Sequence, residues 1–232
     1  MTFVPLVATT VFVCGAVRAL LVVVVASVAL GAFEPALDPR AIDQAVAIGL
    51  SRSDRDRAEF HRRYRAVISR PPVDWLDVIT PFRRVALATE ARMRDGGRLF
   101  GQREALDTLG ADPQRIDIVV ELTFHPLNTF VGVPGYHVAL QRQNRAAATP
   151  APEPPTQIER IPRFGPRVSG TPLPYPFGGS VRVPRGSEPL LGGTIVAVFD
   201  GRAIPIDGLY DVIVSDGRTE LARTRIDFAA LR

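Results

Sequence analysis

Hydrophobic positions after residue 38 recur at the spacing of an α-helix. Asp38 is a candidate helix N-cap, and Pro39 follows it at the first helical position, where a missing N–H costs nothing. A second helix is predicted to begin at Ser53, because Asp56 completes a start like that of a capping box. The apolar face of this second helix contains Phe60, Tyr64, Val67 and Ile68. The prolines at 71 and 72 are predicted to end it.

The same signals predict two further helices. Thr80-Pro81 repeats the cap and the proline ahead of an apolar run at helical spacing, and residues 95–97 (Asp-Gly-Gly) stop that run. A shorter helix is predicted over residues 99–109, with Gly110 as its C-terminal glycine. Residues 33–112 are therefore predicted to form a helical region.

After Pro113 the pattern changes to short runs rich in valine and isoleucine, which favour strands. The predicted strands cover residues 116–124, 136–141, 180–183, 194–199, 209–214 and 219–228. In the last of these, small and apolar residues alternate with Arg223, Arg225 and Asp227, which predicts one buried face and one wet face. Asp216-Gly217 predicts a hairpin with a type I′ turn.

Prolines interrupt this β-rich part of the chain. Residues 146–178 are predicted to be a proline-rich loop or linker, with one edge strand near Ile158. The predicted fold class is thus α+β. An N-terminal helical region is followed by an antiparallel β-sandwich over residues 113–232, and the proline-rich loop interrupts that sandwich.

The segment Gly208-Leu209-Tyr210-Asp211-Val212 resembles the start of strand F in immunoglobulin-like β-sandwiches. In that family a tyrosine two residues before a buried position anchors the corner of the strand. The buried position is a cysteine in antibody-type domains and is Val212 in this chain. The resemblance implies an immunoglobulin-like sandwich and carries no implication of antibody-like recognition.

A long apolar block precedes the predicted helices. From Val17 to Ala32 it has the parts of a secretory signal: the basic Arg18, an apolar stretch and small residues suited to cleavage. In this interpretation residues 1–32 contain a signal peptide whose true initiator is Val17, and the rest of the chain is exported to the periplasm or beyond the cell. The alternative is an uncleaved membrane anchor, because residues 3–33 are long enough to span a bilayer, which needs about 20 residues.

Charge limits the classes of partner. All 28 basic residues are arginine, so the isoelectric point is about 9.9 although the formal net charge is only +4. Acidic and basic residues alternate through both halves, whereas nucleic-acid binders concentrate a basic patch, so no nucleic-acid partner is expected. Complete use of arginine is typical of a GC-rich bacterial genome. The only cysteine, Cys14, lies in the N-terminal block, so a cleaved chain could form no disulfide.

Two histidines that flank a predicted loop are the candidate metal ligands. His125 and His137 could meet across a hairpin, and a third ligand would have to be an acid such as Glu121 or Asp117. No H-E-x-x-H motif supports such a site, so we expect no bound metal. No set of acid, base and nucleophile is visible either, and we expect no cofactor and no catalytic residue. His61 lies among arginines beside the apolar face of the second helix and is predicted to be solvated.

These observations favour an exported bacterial envelope protein that acts as a non-catalytic binding or structural module. The expected partner is a protein or a glycan of the cell envelope, and membrane contact is expected only through residues 3–33 if they remain uncleaved. The alternative function is a secreted metal-dependent hydrolase that uses His125 and His137.

Overall fold

Four helices precede the third strand of the chain, and three of them follow the predicted caps. The computed structural model describes residues 36–97, 99–125, 127–143, 150–165, 188–205 and 208–231. The α-helices are α1 (Pro39–Gly49), α2 (Asp54–Arg62), α3 (Pro81–Arg94) and α4 (Gln102–Leu109). The side chain of Asp38 accepts from the N–H of Ala41 over 2.6 Å, and that of Thr80 accepts from the N–H of Arg83 over 3.2 Å. The predictions of α1, α3 and α4 are confirmed, with α4 beginning at Gln102.

The apolar faces of α1, α3 and α4 meet in a small core of their own. Its buried members are Ile42, Ala45, Val46, Phe82, Val85, Ala105 and Leu109. Gly49 at the end of α1 allows α3 to approach closely, because a Cβ at this position would lie 2.5 Å from Cβ of Thr89. Phe60 of α2 packs against this core and also against the core of the sheets.

Eight strands form two antiparallel sheets. The strands are β1 (Arg65–Arg70), β2 (Val73–Ile79), β3 (Arg115–Thr123), β4 (His137–Arg142), β5 (Gln157–Phe164), β6 (Leu190–Asp200), β7 (Leu209–Ser215) and β8 (Glu220–Asp227). One sheet has the order β1-β2-β3-β6-β5 and the other the order β4-β7-β8, and every neighbouring pair is antiparallel. The predicted α+β class is therefore confirmed.

The two sheets share one hydrophobic core. Strand β3 shows the alternation that builds it, because Ile116, Ile118, Val120 and Leu122 are fully buried in that core. The residues between them, Asp117, Val119 and Glu121, lie on the opposite face of the five-stranded sheet. From the three-stranded sheet the core receives Val138, Leu140, Tyr210, Val212, Val214, Ala222 and Ile226.

The predicted second helix is wrong in its second half. Helix α2 ends at Arg62, and Val67 and Ile68 belong to β1, which forms a hairpin with β2 through the prolines at 71 and 72. The same residues fit a strand because Ala66 and Ile68 turn inward while Arg65 and Val67 turn outward. Pairing with β2 then satisfies the backbone within a sheet. The predicted helical region thus contains two strands of the five-stranded sheet.

The later strands are confirmed where the structure describes them, with small shifts of their ends. The predicted strand near Ile158 is β5, at the edge of the five-stranded sheet. Asp216 and Gly217 do join β7 to β8, but only Gly217 has a positive φ, +89°. A type I′ turn needs a positive φ at both central residues, so the type I′ prediction is wrong.

Several predictions lie outside the described residues. These are the signal peptide or anchor over residues 1–32, the strand over 180–183 and the parts 146–149 and 166–178 of the proline-rich loop. In the described part of that loop, Glu153 makes an isolated bridge to Leu140 and β5 follows. Within the described ranges, no helix has the length and apolarity needed to cross a membrane.

Candidate functional site

A buried arginine and a buried aspartate join the first turn of α3 to the outward face of β2. Nη2 of Arg83 lies 3.2 Å from Oδ2 of Asp77, and the two side chains are only 4% and 9% exposed. Nη1 of Arg83 also donates to the carbonyl oxygen of Val78 over 2.8 Å. Removing either partner of such a pair leaves an uncompensated buried charge. The pair therefore fixes the start of α3 on the sheet.

His61 connects α2 to the same network. Its Nε2 lies 2.6 Å from Oε1 of Glu90, and its Nδ1 accepts a hydrogen bond from Nε of Arg83 over 3.3 Å. Because a guanidinium only donates, Nδ1 carries no proton and Nε2 donates to the Glu90 carboxylate. The imidazole thus bridges α2 and α3 through both of its ring nitrogens. The side chain is 19% exposed, so the prediction of a solvated His61 is wrong.

Arg65 on β1 completes the network at the solvent boundary. Its Nε and Nη2 donate to the two carboxylate oxygens of Asp77 over 3.0 and 2.7 Å. Its guanidinium also lies over the ring of Trp75, with Cζ 4.2 Å from the ring centroid. The hydrogen bonds to Asp77 raise the pKa of Arg65, so this side chain stays charged. It is 46% exposed and presents a positioned cation to solvent.

The two acids that sequence analysis offered as metal ligands are held by arginines on the outward face of the five-stranded sheet. Asp117 accepts from Arg84 over 3.3 Å and from Arg115 over 2.5 Å. Burial lowers the pKa of Arg84, and the charge of Asp117 opposes that effect. Glu121 accepts from Arg163 over 2.5 Å and from Thr194 over 2.7 Å. Both carboxylates therefore act as ion-pair partners that tie helix and strands together.

The two candidate histidines are not brought together with those acids. His137 is exposed and alternates with the buried Val138 of β4, so it faces away from the shared core on the three-stranded sheet. Asp117 and Glu121 face away from that core on the other sheet, and packed sheets lie about 10 Å apart. His125 lies in the β3–β4 loop, where its Nδ1 accepts from the N–H of Leu127 over 3.2 Å. Among the residues that the structure describes, no three His, Cys, Asp or Glu side chains are grouped to hold a metal ion.

The β3–β4 loop, residues 124–136, exposes large apolar side chains to solvent. Leu127 is 75% exposed, Phe130 is 44% exposed and Val131 is 96% exposed. We refer to these three residues as the apolar loop tip. No Asp, Glu or Arg occurs in the sequence between Glu121 and Arg142, so this surface has no formal charge of its own. Three large apolar side chains exposed within five residues of sequence are a candidate interaction surface.

Asn128 makes three hydrogen bonds to neighbouring described residues. Its Nδ2 donates to the carbonyl oxygens of His125 and Leu190 over 2.7 and 2.8 Å, and its Oδ1 accepts from the N–H of Phe130 over 2.9 Å. The ring of Phe130 packs edge-on against Phe124, with the ring centroids 5.2 Å apart. These contacts tie residues 128 and 130 to neighbouring parts of the chain, and restraint of this kind reduces the entropy lost on binding.

Sequence reasoning missed both of these features. Nothing in the spacing of Asp77, Arg83 and Arg65 indicated that one network would contain them, because β1 and β2 were not predicted as a hairpin. The charge-free run after Glu121 was the available signal for the apolar loop tip. In comparisons with known proteins, no family model, no curated protein and no solved structure matches this chain.

Proposed function

We propose that this chain is an exported, non-catalytic binding module of the bacterial envelope, and that it contacts a protein partner through the apolar loop tip. The observation that carries the proposal is the exposure of Leu127 and Val131, 75% and 96%, on a loop fixed by Asn128. Side chains held exposed in a rigid loop gain the full benefit of burial when a partner covers them.

We also propose that β2 to β8 form an immunoglobulin-like sandwich. In constant-type immunoglobulin domains one sheet has strands A, B, E and D and the other has C, F and G. Lettering β2 to β8 as A to G reproduces both orders, with β1 as an additional edge strand. Tyr210 then lies at the start of strand F, where it is 3% exposed and its ring centroid is 5.3 Å from that of Phe228.

This lettering supports a role for the apolar loop tip. The β3–β4 loop becomes the B–C connection, which lies at the same end of such domains as the F–G turn. The two are close in this chain, because a Cβ at Gly217 in the β7–β8 turn would lie 3.7 Å from Nε2 of His137. Loops at this end of a rigid scaffold are a common place for recognition.

A protein partner fits this surface better than a glycan. Glycans present many hydroxyl groups, and an uncharged tip of Leu127, Phe130 and Val131 offers few hydrogen bonds to them. The buried centre of a protein interface is instead apolar, depleted of charge and enriched in aromatic residues. The apolar loop tip has the composition of such a centre.

In-cell photo-crosslinking tests the proposal. In one variant of the full chain a photo-reactive amino acid replaces Val131. In a second, control variant it replaces Leu99, which is 82% exposed and lies outside the loop. We expect one protein adduct at Val131 and none of the same mass at Leu99. Absence of an adduct at Val131, or the same set of adducts at both positions, contradicts the proposal.

A further inference from the structure

A second feature, which shares no residue with the apolar loop tip, has the form of a small-molecule site. A cavity of about 560 Å³, which is open to solvent on one side, lies between α2, the β1–β2 hairpin and α3. Its apolar wall consists of Ala58, Val67, Ile79 and Leu87. Cavities of roughly 300 to 1,000 Å³ with apolar walls and a few positioned polar groups are typical of ligand sites.

The charged lining of this cavity is unbalanced. It contains three arginines, Arg62, Arg65 and Arg83, and one carboxylate, Asp77. Asp77 already accepts hydrogen bonds from Arg65 and Arg83. Glu59 pairs with Arg62 at the surface, where both side chains are more than half exposed and such pairs are weak. Glu90 lies behind the lining, where it pairs with His61, so the positive charge that an entering anion would meet is concentrated at the partly exposed Arg62 and Arg65.

The guanidinium of Arg65 is positioned to bind such an anion. Asp77 engages its Nε and Nη2, which leaves the donors of Nη1 without a hydrogen-bond partner among the described residues. The ring of Trp75 supports the guanidinium from one side. A guanidinium fixed in this way binds a carboxylate or a phosphate without losing much further side-chain freedom.

We propose that this cavity binds a small amphiphile with an anionic head group, a carboxylate or a phosphate, and a short aliphatic body. The head group lies at Nη1 of Arg65, near Arg62, and the aliphatic body packs against Val67, Ile79 and Leu87. A cationic amphiphile is repelled, and a neutral one offers no negative charge to the Nη1 donors of Arg65. The proposal does not depend on the partner of the apolar loop tip.

Titration of the full chain with four ten-carbon amphiphiles tests this inference, each below its micelle-forming concentration. The probes are decanoate, decyl phosphate, decylamine and decyl glucoside. Trp75, the only tryptophan, lies directly under Arg65 and reports binding through its fluorescence, with calorimetry as a second readout. We expect saturable binding of decanoate, decyl phosphate or both, at least tenfold tighter than that of the other two probes. The comparison of the two anions identifies the preferred head group.

Matched variants locate the binding. Arg65→Gln is expected to weaken calorimetric binding of the anionic probe at least tenfold, and Val67→Asp, at a 74% exposed position, is expected to do the same. Arg223→Gln removes an arginine of similar exposure, 40%, from the other sheet and is expected to leave binding unchanged. Leu127→Ser is also expected to have no effect. Failure of both anions to bind, equal binding of decyl glucoside, or equal losses in Arg65→Gln and Arg223→Gln overturns the proposal.

Discussion

Replacing Asp77 by asparagine removes the counterion of a buried guanidinium while keeping the size of the side chain. Arg83 is 4% exposed, and its other hydrogen bonds go to a carbonyl oxygen and to an imidazole, neither of which carries a negative charge. Loss of one member of a buried pair costs about 3 to 5 kcal/mol. For a domain of this size that corresponds to a fall in Tm of roughly 6 to 20 °C.

The half-exposed partner of Asp77 provides the contrast. Arg65→Gln removes a solvent-screened ion pair, worth about 0.2 to 1 kcal/mol, and a cation–π contact worth about 0.5 to 1 kcal/mol. Urea unfolding of the full chain, with the m-value checked for constancy, measures both losses. Asp77→Asn is expected to be clearly the more destabilising change.

A double variant separates a lost charge pair from a general disturbance of β2. Asp77→Leu with Arg83→Met removes both buried charges, so it is expected to be more stable than Asp77→Asn alone. The reasoning is refuted if Asp77→Asn costs no more than Arg65→Gln, or if the double variant is the less stable of the two.

Three further outcomes follow from the packing and the turns. Gly49→Ala is expected to destabilise the folded protein by about 1 to 3 kcal/mol, because the new Cβ would lie 2.5 Å from Cβ of Thr89. The control is Gly132→Ala, whose new Cβ would meet no atom within 4 Å. It is expected to be nearly neutral in the same urea titration. Phe82→Ala, which empties the centre of the helical core, is expected to cost about 3 to 5 kcal/mol, and a loss below about 1 kcal/mol would show that α3 is not packed as described. Hydrogen bonds from the N–H groups of Thr219 and Arg218 lower the pKa of Asp216. The ionised Asp216 therefore contributes fully to stability above its unfolded pKa of about 3.9, and this contribution is lost as pH falls through the lower folded pKa. The stability difference between wild type and Asp216→Asn should therefore be constant near neutral pH and shrink below pH 4, and a difference that is independent of pH contradicts this assignment.

The sequence predicted elements with strong local signals. Asp38 and Thr80, each followed by a proline, marked the starts of two helices because the cap and the proline act within one turn. The alternation in β8 indicated a half-buried strand, because a two-residue period can also be recognised within a few neighbouring residues. The β1–β2 hairpin was missed because, over so short a length, the apolar positions of residues 64–68 fit the period of a helix as well as that of a strand. Pairing with β2, which itself pairs with β3 more than thirty residues later in the chain, decides between them.

The ion-pair network and the apolar loop tip depend on contacts distant in sequence. His61 meets Glu90 29 residues later, and Asn128 meets Leu190 62 residues later. Local spacing carries no signal for such pairs, so His61 looked like a solvated helix residue among arginines. The histidines at 125 and 137 were close in sequence, yet the register of β4 directs His137 away from the core. Sequence proximity was therefore a poor guide to a shared site.

The dissociation constant of the partner captured at Val131 tests the central claim most directly. Burial of a leucine or valine side chain contributes about 1.5 to 3 kcal/mol, so Leu127→Ser and Val131→Ser should each weaken binding about tenfold or more. Leu99→Ser removes a leucine of comparable exposure, 82%, outside the loop and should leave the dissociation constant unchanged. Equal constants for wild type, Leu127→Ser and Val131→Ser would contradict recognition through the apolar loop tip.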